Sequence, residues 1–291
     1  MPLFGLLNVD KPPGMTSRRA VDRIARLAKP AKVGHAGTLD PLASGVLVLG
    51  IGPATRLIEY VQEAPKQYRA TFLLGRSSPT EDVDGEVTEL PSAVPPTREQ
   101  LEQAARGLTG SIEQRPPAFS ALKVGGRRAY DLARAGRSVQ LEPRQVRIDR
   151  LRIEGYEYPE LCLDVQCSGG TYIRSLGRDL AERCGTAAVM SALVRTAVGP
   201  FTIAEAVALD TPTAENLPGL LLPPELAVRG MMPEVTVSPD EAGRLARGQT
   251  IEAREGVEDR CAAFDATGRL LAILTRTPEG VLRAAKNLSG N

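Results

Sequence analysis

The sequence predicts a mixed fold of strands and helices, arranged as one large domain with a small one after it. Three observations carry this expectation. Short apolar runs of strand character, at 46–49, 66–75 and 161–167, are interleaved with stretches of helical character at 17–28, 97–107 and 171–184. Pro212, Pro218, Pro223, Pro224 and Pro233 crowd a linker-like stretch, after which fresh helix and strand signals begin. The 291 residues, 42% hydrophobic and 24% charged, suffice for a sizeable core, and 28 glycines with 23 prolines speak for many loops rather than disorder.

The elements follow in order. Residues 6–14 read as a short strand running into the stiff turn Pro12-Pro13-Gly14. A helix comes next: Thr16 or Ser17 caps it, Ala20, Val21, Ile24, Leu27 and Ala28 share one face, and Pro30 stops it. Its other face carries Arg18, Arg19, Arg23 and Arg26, an ordinary solvated surface or, with Lys29 and Lys32, a contact for phosphate. Val46-Leu47-Val48-Leu49 is a strand buried on both sides. Tyr68, Ala70, Phe72 and Leu74 alternate along the next strand and point where the core points. Glu81, Asp82, Asp84, Glu86 and Glu89 make an acidic stretch, most simply a solvated loop and hairpin around Asp84-Gly85, to which no site is assigned.

Thr97-Arg98-Glu99-Gln100 has capping-box spacing and opens a helix ending near 107–110. Residues 114–145 then combine a proline turn, the Gly125-Gly126 pair and clustered basic groups. Lys123, Arg128 and their basic neighbours, interleaved with Tyr130, suit phosphate contact with occasional stacking. Leu161, Leu163, Val165 and Cys167 alternate along a strand, and Gly169-Gly170 leads into a helix stopped by Gly185. Arg174 falls in the first turn of that helix, where a cation is disfavoured by the helix dipole and wants an anion opposite. After the proline-rich stretch, Ser238-Pro239-Asp240-Glu241 starts a helix, and short strands flank the Asp265-Ala266-Thr267-Gly268 turn.

Composition narrows the function classes. A net charge of +1 announces no polyanion partner, so any nucleic-acid surface must come from local clustering. Four cysteines without a Cys-x-x-Cys pair and a single histidine leave little for a metal site, and buried reduced thiols are expected. The chain offers no Walker loop and no dinucleotide fingerprint. No apolar run is long enough to span a bilayer and no signal segment stands at the start, which points to the cytoplasm and to no membrane partner.

The most informative stretch is Gly34-His35-Ala36-Gly37-Thr38-Leu39-Asp40-Pro41-Leu42-Ala43-Ser44-Gly45-Val46-Leu47. It holds the lone histidine and places a carboxylate on a loop shaped by glycine and proline at the mouth of a buried strand. On local chemistry alone Asp40 is a turn former. The whole string resembles the catalytic-aspartate segment of the tRNA pseudouridine-55 synthase family. The resemblance extends in order to Asp10-Lys11-Pro12-x-Gly14, Lys66-x-Tyr68, Pro116-Pro117-x-x-Ser120-Ala121-x-Lys123, Gly170-Thr171-Tyr172-Ile173-Arg174 and Leu193-Val194-Arg195-Thr196.

The resemblance implies an α+β fold: a mixed, largely antiparallel central sheet with flanking helices, residues 1–232, carrying an RNA-binding insertion at about 114–145. Residues 233–291 resemble, more weakly, the small PUA-like β-barrel that follows such domains. It also implies roles. Asp40 would be the essential carboxylate, Arg174 its partner, Tyr68 the ring stacking on the target base, and Leu193 a wall of the base pocket. His35 would sit in the cleft, with Lys11, Lys123, Arg128 and Tyr130 toward the RNA. Pseudouridine formation breaks N1–C1′, turns the base and joins C5 to C1′, with no net oxidation or reduction. The implied chemistry needs no cofactor, and the absence of a Walker loop and a dinucleotide fingerprint agrees with it. The target must first leave its stack. Asp40 would act at the sugar, attacking C1′ or taking the C2′ proton, or else at C6. The expected partner is the T-arm of tRNA, met by a monomer without a guide RNA. A purely mechanical tRNA-folding helper and the catalytic subunit of a guide-RNA particle are the competing readings.

Overall fold

In a computed structural model, which describes residues 3–120, 122–124, 127–128 and 141–288, the chain begins with β1 (Gly5–Lys11), α1 (Ser17–Leu27), β2 (Val33–His35) and β3 (Ser44–Ile51). A short helix α2 (Ile58–Glu63) leads to β4 (Lys66–Leu74), and the small hairpin β5 (Arg76–Ser77) with β6 (Thr88–Glu89) to α3 (Arg98–Gly107) and β7 (Gly110–Gln114). Two-residue strands β8 (Lys123–Val124) and β9 (Arg127–Arg128) pair with each other. The long hairpin β10 (Arg144–Glu157) and β11 (Glu160–Cys167) follows, then α4 (Ile173–Arg183), β12 (Ala188–Val198), β13 (Phe201–Thr202) and β14 (Val207–Ala208). Past α5 (Leu217–Leu220) come β15 (Glu234–Thr236), α6 (Pro239–Ala246), β16 (Arg260–Phe264), β17 (Leu270–Arg276) and β18 (Leu282–Asn287).

The caps explain the helix starts. Thr16 accepts from the Arg19 amide, while Thr97 with Gln100 and Ser238 with Glu241 close reciprocal capping boxes. The large sheet runs β14-β1-β3-β12-β4-β11-β10-β7, with β2 beside β3 and β13 beside β12. Its pairings are antiparallel except β1 with β14 and β3 with β12, so it is mixed and largely antiparallel as expected. The parallel ladder between β3 and β12 has only two register pairs, Val194 with Ser44 and Arg195 with Gly45. It joins two antiparallel halves of the sheet directly beneath the loop that carries Asp40.

Two apolar layers cover the sheet. One gathers Leu7, Ile24, Leu47, Phe72, Leu163 and Leu180 under α1, α3 and α4. The other joins Val46, Val48, Tyr60 and Val198 to Ala262, Phe264, Leu270 and Ile273 of the small sheet. Helix α4 reaches the sheet through Gly177, where an added Cβ would stand 1.9 Å from the Phe72 ring. The small sheet runs β15-β16-β17-β18, with its own core of Val237, Leu245, Ile251, Cys261 and Leu274.

Three sequence expectations change. The proline-rich 210–233 stretch is not an exposed linker: Leu217, Ala227 and Val228 are buried in the two layers. The acidic stretch is not wholly solvated, because Asp82 is buried and the Glu81 side chain turns inward. Cys167 and Cys261 are buried free thiols, but Cys162 and Cys184 are only half-buried.

Candidate active site

Asp40 sits on the loop between β2 and β3. Gly37 (φ +102°) and Gly45 (φ +101°) adopt the left-handed angles that glycine permits, and at Gly45 a Cβ would lie 2.3 Å from the Arg195 carbonyl oxygen. The loop is tied to α1: the Ser17 hydroxyl donates to the Leu39 carbonyl (3.1 Å) and accepts from the Leu39 amide (2.8 Å), and the Gly14 amide donates to the Pro41 carbonyl (2.8 Å). The Gly45 amide donates to Asp10 Oδ1 (3.1 Å). Thus the carboxylate has a fixed base and a side chain that is one-third exposed.

Arg174, in the first turn of α4, meets it. Its Nε lies 2.9 Å from Asp40 Oδ2, Nη1 donates to the Thr80 carbonyl (2.7 Å) and Nη2 to the Phe119 carbonyl (3.0 Å). Asp82 Oδ2 stands 3.7 Å from Nη1. A cation misplaced with respect to the helix dipole is therefore answered by two carboxylates and two carbonyls. The loop that brings Asp82 is itself held. Thr80 Oγ1 and the Asp84 amide donate to Asp82 Oδ1 (2.5 and 3.2 Å), Ser175 Oγ donates to Glu81 Oε2 (2.9 Å), and Arg178 pairs with Glu81. Glu81 has φ +62°, a left-handed conformation in a non-glycine residue. Burial raises its pKa above the ordinary carboxylate value, against the pull of Arg178. Asp84 is raised likewise, by burial and by repulsion from Asp82 and Asp40.

Across the sheet, Tyr68 lies opposite Arg195 and Ala70 opposite Leu193, which puts Tyr68, Leu193 and Arg195 on one face. Tyr68 and Leu193 are each 7% exposed. The phenol is held neutral far up the pH scale by burial, with the Arg195 guanidinium facing it and opposing that shift. Arg195 is 2% exposed; its Nε donates to the Val46 carbonyl (2.8 Å) and its Nη2 to the Gly37 carbonyl (3.2 Å), clasping the aspartate loop at both ends. Lys11 is fully buried, donating to the carbonyls of Pro12 (2.9 Å) and Met15 (2.7 Å). Burial lowers it to about 8, with Asp40 pulling the other way. Lys66, donating to the Ala64 carbonyl (2.7 Å), is lowered to about 8 by burial and by Arg195. His35, half-buried, is held below its ordinary value chiefly by burial and further by Arg195 and Arg18.

Among the described residues, the charged side chains that are buried are Lys11, Lys66, Asp82, Arg174 and Arg195. Arg174 pairs with Asp40 and stands near Asp82, Lys11 is attracted by Asp40, Arg195 clasps the loop that carries it, and Lys66 lies within the reach of the Arg195 charge. Such gathering of costly buried charge marks a working site. The structure thus brings together Asp40, Arg174, Tyr68, Leu193, Lys11 and His35. The side chains of Lys123 and Arg128, and all of Tyr130, lie outside the described residues. Sequence reasoning missed Asp82 and gave Arg195 no role; an acid inside an acidic turn and an arginine inside a strand offer no local signal. No group of three or more His, Cys, Asp or Glu residues suited to a metal occurs among the described residues.

Sheet and site together define the pseudouridine synthase fold. A solved chain from a Cbf5-Nop10-Gar1 complex is 26% identical and superposes with a TM-score of 0.73, covering 94% of this chain and 79% of that one. A chain from an H/ACA RNP bound to a substrate RNA, 23% identical, shares the fold with a TM-score of 0.72 over 98% of this chain and 84% of its own. Residues 25–173 match the profile of the TruB family pseudouridylate synthase, N-terminal domain. The tRNA pseudouridine synthase B of Arthrobacter sp. (strain FB24) is 44% identical over 286 residues, 94% of this chain and 92% of that protein. That of Mycobacterium tuberculosis (strain ATCC 25618 / H37Rv) is 44% identical over 274 residues, 93% and 91% of the two chains. The chain belongs to the TruB family of pseudouridylate synthases.

Proposed function

We propose that this chain converts uridine-55 in the T-loop of tRNA to pseudouridine, with Asp40 as the essential carboxylate and without a cofactor. The observation that carries the reading is the 2.9 Å pair between Arg174 Nε and Asp40 Oδ2, set on a rigid loop beside the Tyr68–Leu193 face. Arg174 holds the carboxylate toward the sugar of a flipped nucleotide. Tyr68 stacks on the base and Leu193 walls it. His35 borders the cleft, and Lys11 adds positive charge beside the carboxylate. Four buried cations stand beside Asp40 and Asp82, with Asp10 and Asp84 near them, so the site itself is close to neutral and the phosphates of a polynucleotide substrate are met on other surfaces. The names of the relatives support tRNA as that substrate.

Residues 1–232 act as the catalytic domain, with the 114–145 insertion, including Lys123, Arg128 and Tyr130, closing on the RNA. Residues 233–291 act as a PUA-like RNA-binding module, and the enzyme works as a monomer in the cytoplasm. Among the described residues no helix is long and apolar enough to cross a membrane. The likeness to a chain from a Cbf5-Nop10-Gar1 complex favours one other reading, a subunit that acts only within an RNA–protein particle. Tritium release from a tRNA transcript labelled at C5 of uridine decides between them. Release by the purified chain alone, mapped to the T-loop and lost in Asp40→Asn, is the expected result; release only when further components are supplied would establish the particle.

A further inference from the structure

The outer face of α1 is more than solvated surface. Between Ser17 and Lys32 there are six cations, Arg18, Arg19, Arg23, Arg26, Lys29 and Lys32, against one acid, Asp22, in a chain whose net charge is only +1. Asp22 is taken by Arg18 (2.9 Å). Among the described residues, the side chains of Arg19, Arg26, Lys29 and Lys32 have no carboxylate partner, and Arg23 makes only a long contact to the Asp210 carbonyl (3.4 Å). All five are exposed. The first turn of α1 contains no acid, so Arg18 and Arg19 stand where the helix dipole disfavours them, and among the described residues no carboxylate compensates Arg19. Arg19, Arg23 and Arg26 follow the i, i+4, i+7 spacing of a single stripe, a run of roughly 10 Å.

The placement of this stripe gives it a partner. The amino end of α1 is bolted to the aspartate loop through the paired Ser17–Leu39 hydrogen bonds, and the charge of Arg18 is felt at His35. The stripe therefore begins at the anchored amino end of α1 and runs along its outer face away from that end. We infer that Arg19, Arg23 and Arg26 form a phosphate track that holds the RNA backbone next to the flipped nucleotide. The inference rests on the proposed RNA substrate and adds the surface that positions it.

The test compares wild type, the triple variant Arg19→Gln/Arg23→Gln/Arg26→Gln, the charge-keeping Arg19→Lys/Arg23→Lys/Arg26→Lys, and a control that removes the exposed Arg98, Arg106 and Arg152 from α3 and β10. Dissociation constants for an unmodified tRNA transcript are measured from 50 to 300 mM salt, with turnover alongside. The glutamine variant should bind about 10-fold more weakly at 100 mM salt and lose about 2 from the slope of log affinity against log salt. Its turnover at saturating tRNA should be unchanged. The lysine variant should recover the slope, and the control should match wild type. An unchanged slope in the glutamine variant, an equal loss in the control, or a fall in saturated turnover without weaker binding would overturn the track. If wild type itself forms no pseudouridine, the proposed function fails, an outcome separate from these.

Discussion

Asp40 and Arg174 meet through a single short contact, but each is fixed by different neighbours, and that separation sets what their substitutions do. Asp40→Asn keeps the size and the loop, so tRNA affinity should stay within about 2-fold while turnover falls by at least about 10³-fold in a single-turnover assay. Tyr68→Phe keeps a stacking ring but removes the hydroxyl that faces Arg195; Tyr68→Ala removes both. Phenylalanine should therefore retain more turnover than alanine, and equal losses would remove stacking from the tyrosine's task.

The buried lysines make stability depend on pH. Lys11 and Lys66 fall to about 8 in the folded chain from 10.5, so above pH 8 the native state sheds protons that the unfolded chain still holds, and stability rises with pH. Cys167 and Cys261, raised to about 11 from 9.0, act in the opposite sense once the unfolded thiols ionise. The rise should thus be clear between pH 8 and 9 and blunted above it. Lys11→Met should roughly halve it in urea-unfolding midpoints taken across that interval, since Lys66 remains.

At the scale of elements, the approach of α4 to β4 decides where Arg174 lands. Gly177 lies three residues after Arg174, close to the same helix face, and touches the Phe72 ring. Gly177→Ala should cost about 3 kcal/mol of stability by overpacking, and it should lower turnover as the arginine is lifted from Asp40. A variant with full turnover and wild-type melting would show that the helix has slack the packing does not reveal.

Here too the reach of sequence reasoning can be seen. Strand alternation at 66–74 and the caps at Thr16, Thr97 and Ser238 were legible because period and capping are local properties. So was the Asp40 loop, whose glycines and proline announce a shaped turn. The inward turn of Asp82 was not, since its burial depends on Arg174, some ninety residues later in the chain. Nor was the burial of Arg195, whose hydrogen-bond acceptors are the carbonyls of Gly37 and Val46.

For the whole molecule, the small sheet is joined to the large one through a common apolar layer. Phe264, Leu270 and Ile273 share it with Val46, Tyr60 and Val198, and Arg260 pairs with Glu63 and Lys286 with Glu59 (2.8 Å) at its rim. Removing residues 233–291 would uncover that layer rather than release an independent module. A single calorimetric transition is expected for the full chain, with poor solubility for the truncated one; two separated transitions would show that the units unfold apart.

The two-residue ladder between β3 and β12 has its own consequence. Each half of the large sheet is stitched by long antiparallel runs, whereas the seam between them holds by two ladder pairs, by the Arg195 hydrogen bonds to the Val46 and Gly37 carbonyls and by side-chain packing. The seam is also where Asp40 from one half comes near Tyr68 from the other. Local loosening of this seam under mild denaturant, ahead of the single global transition, is expected to silence the enzyme while both halves remain folded.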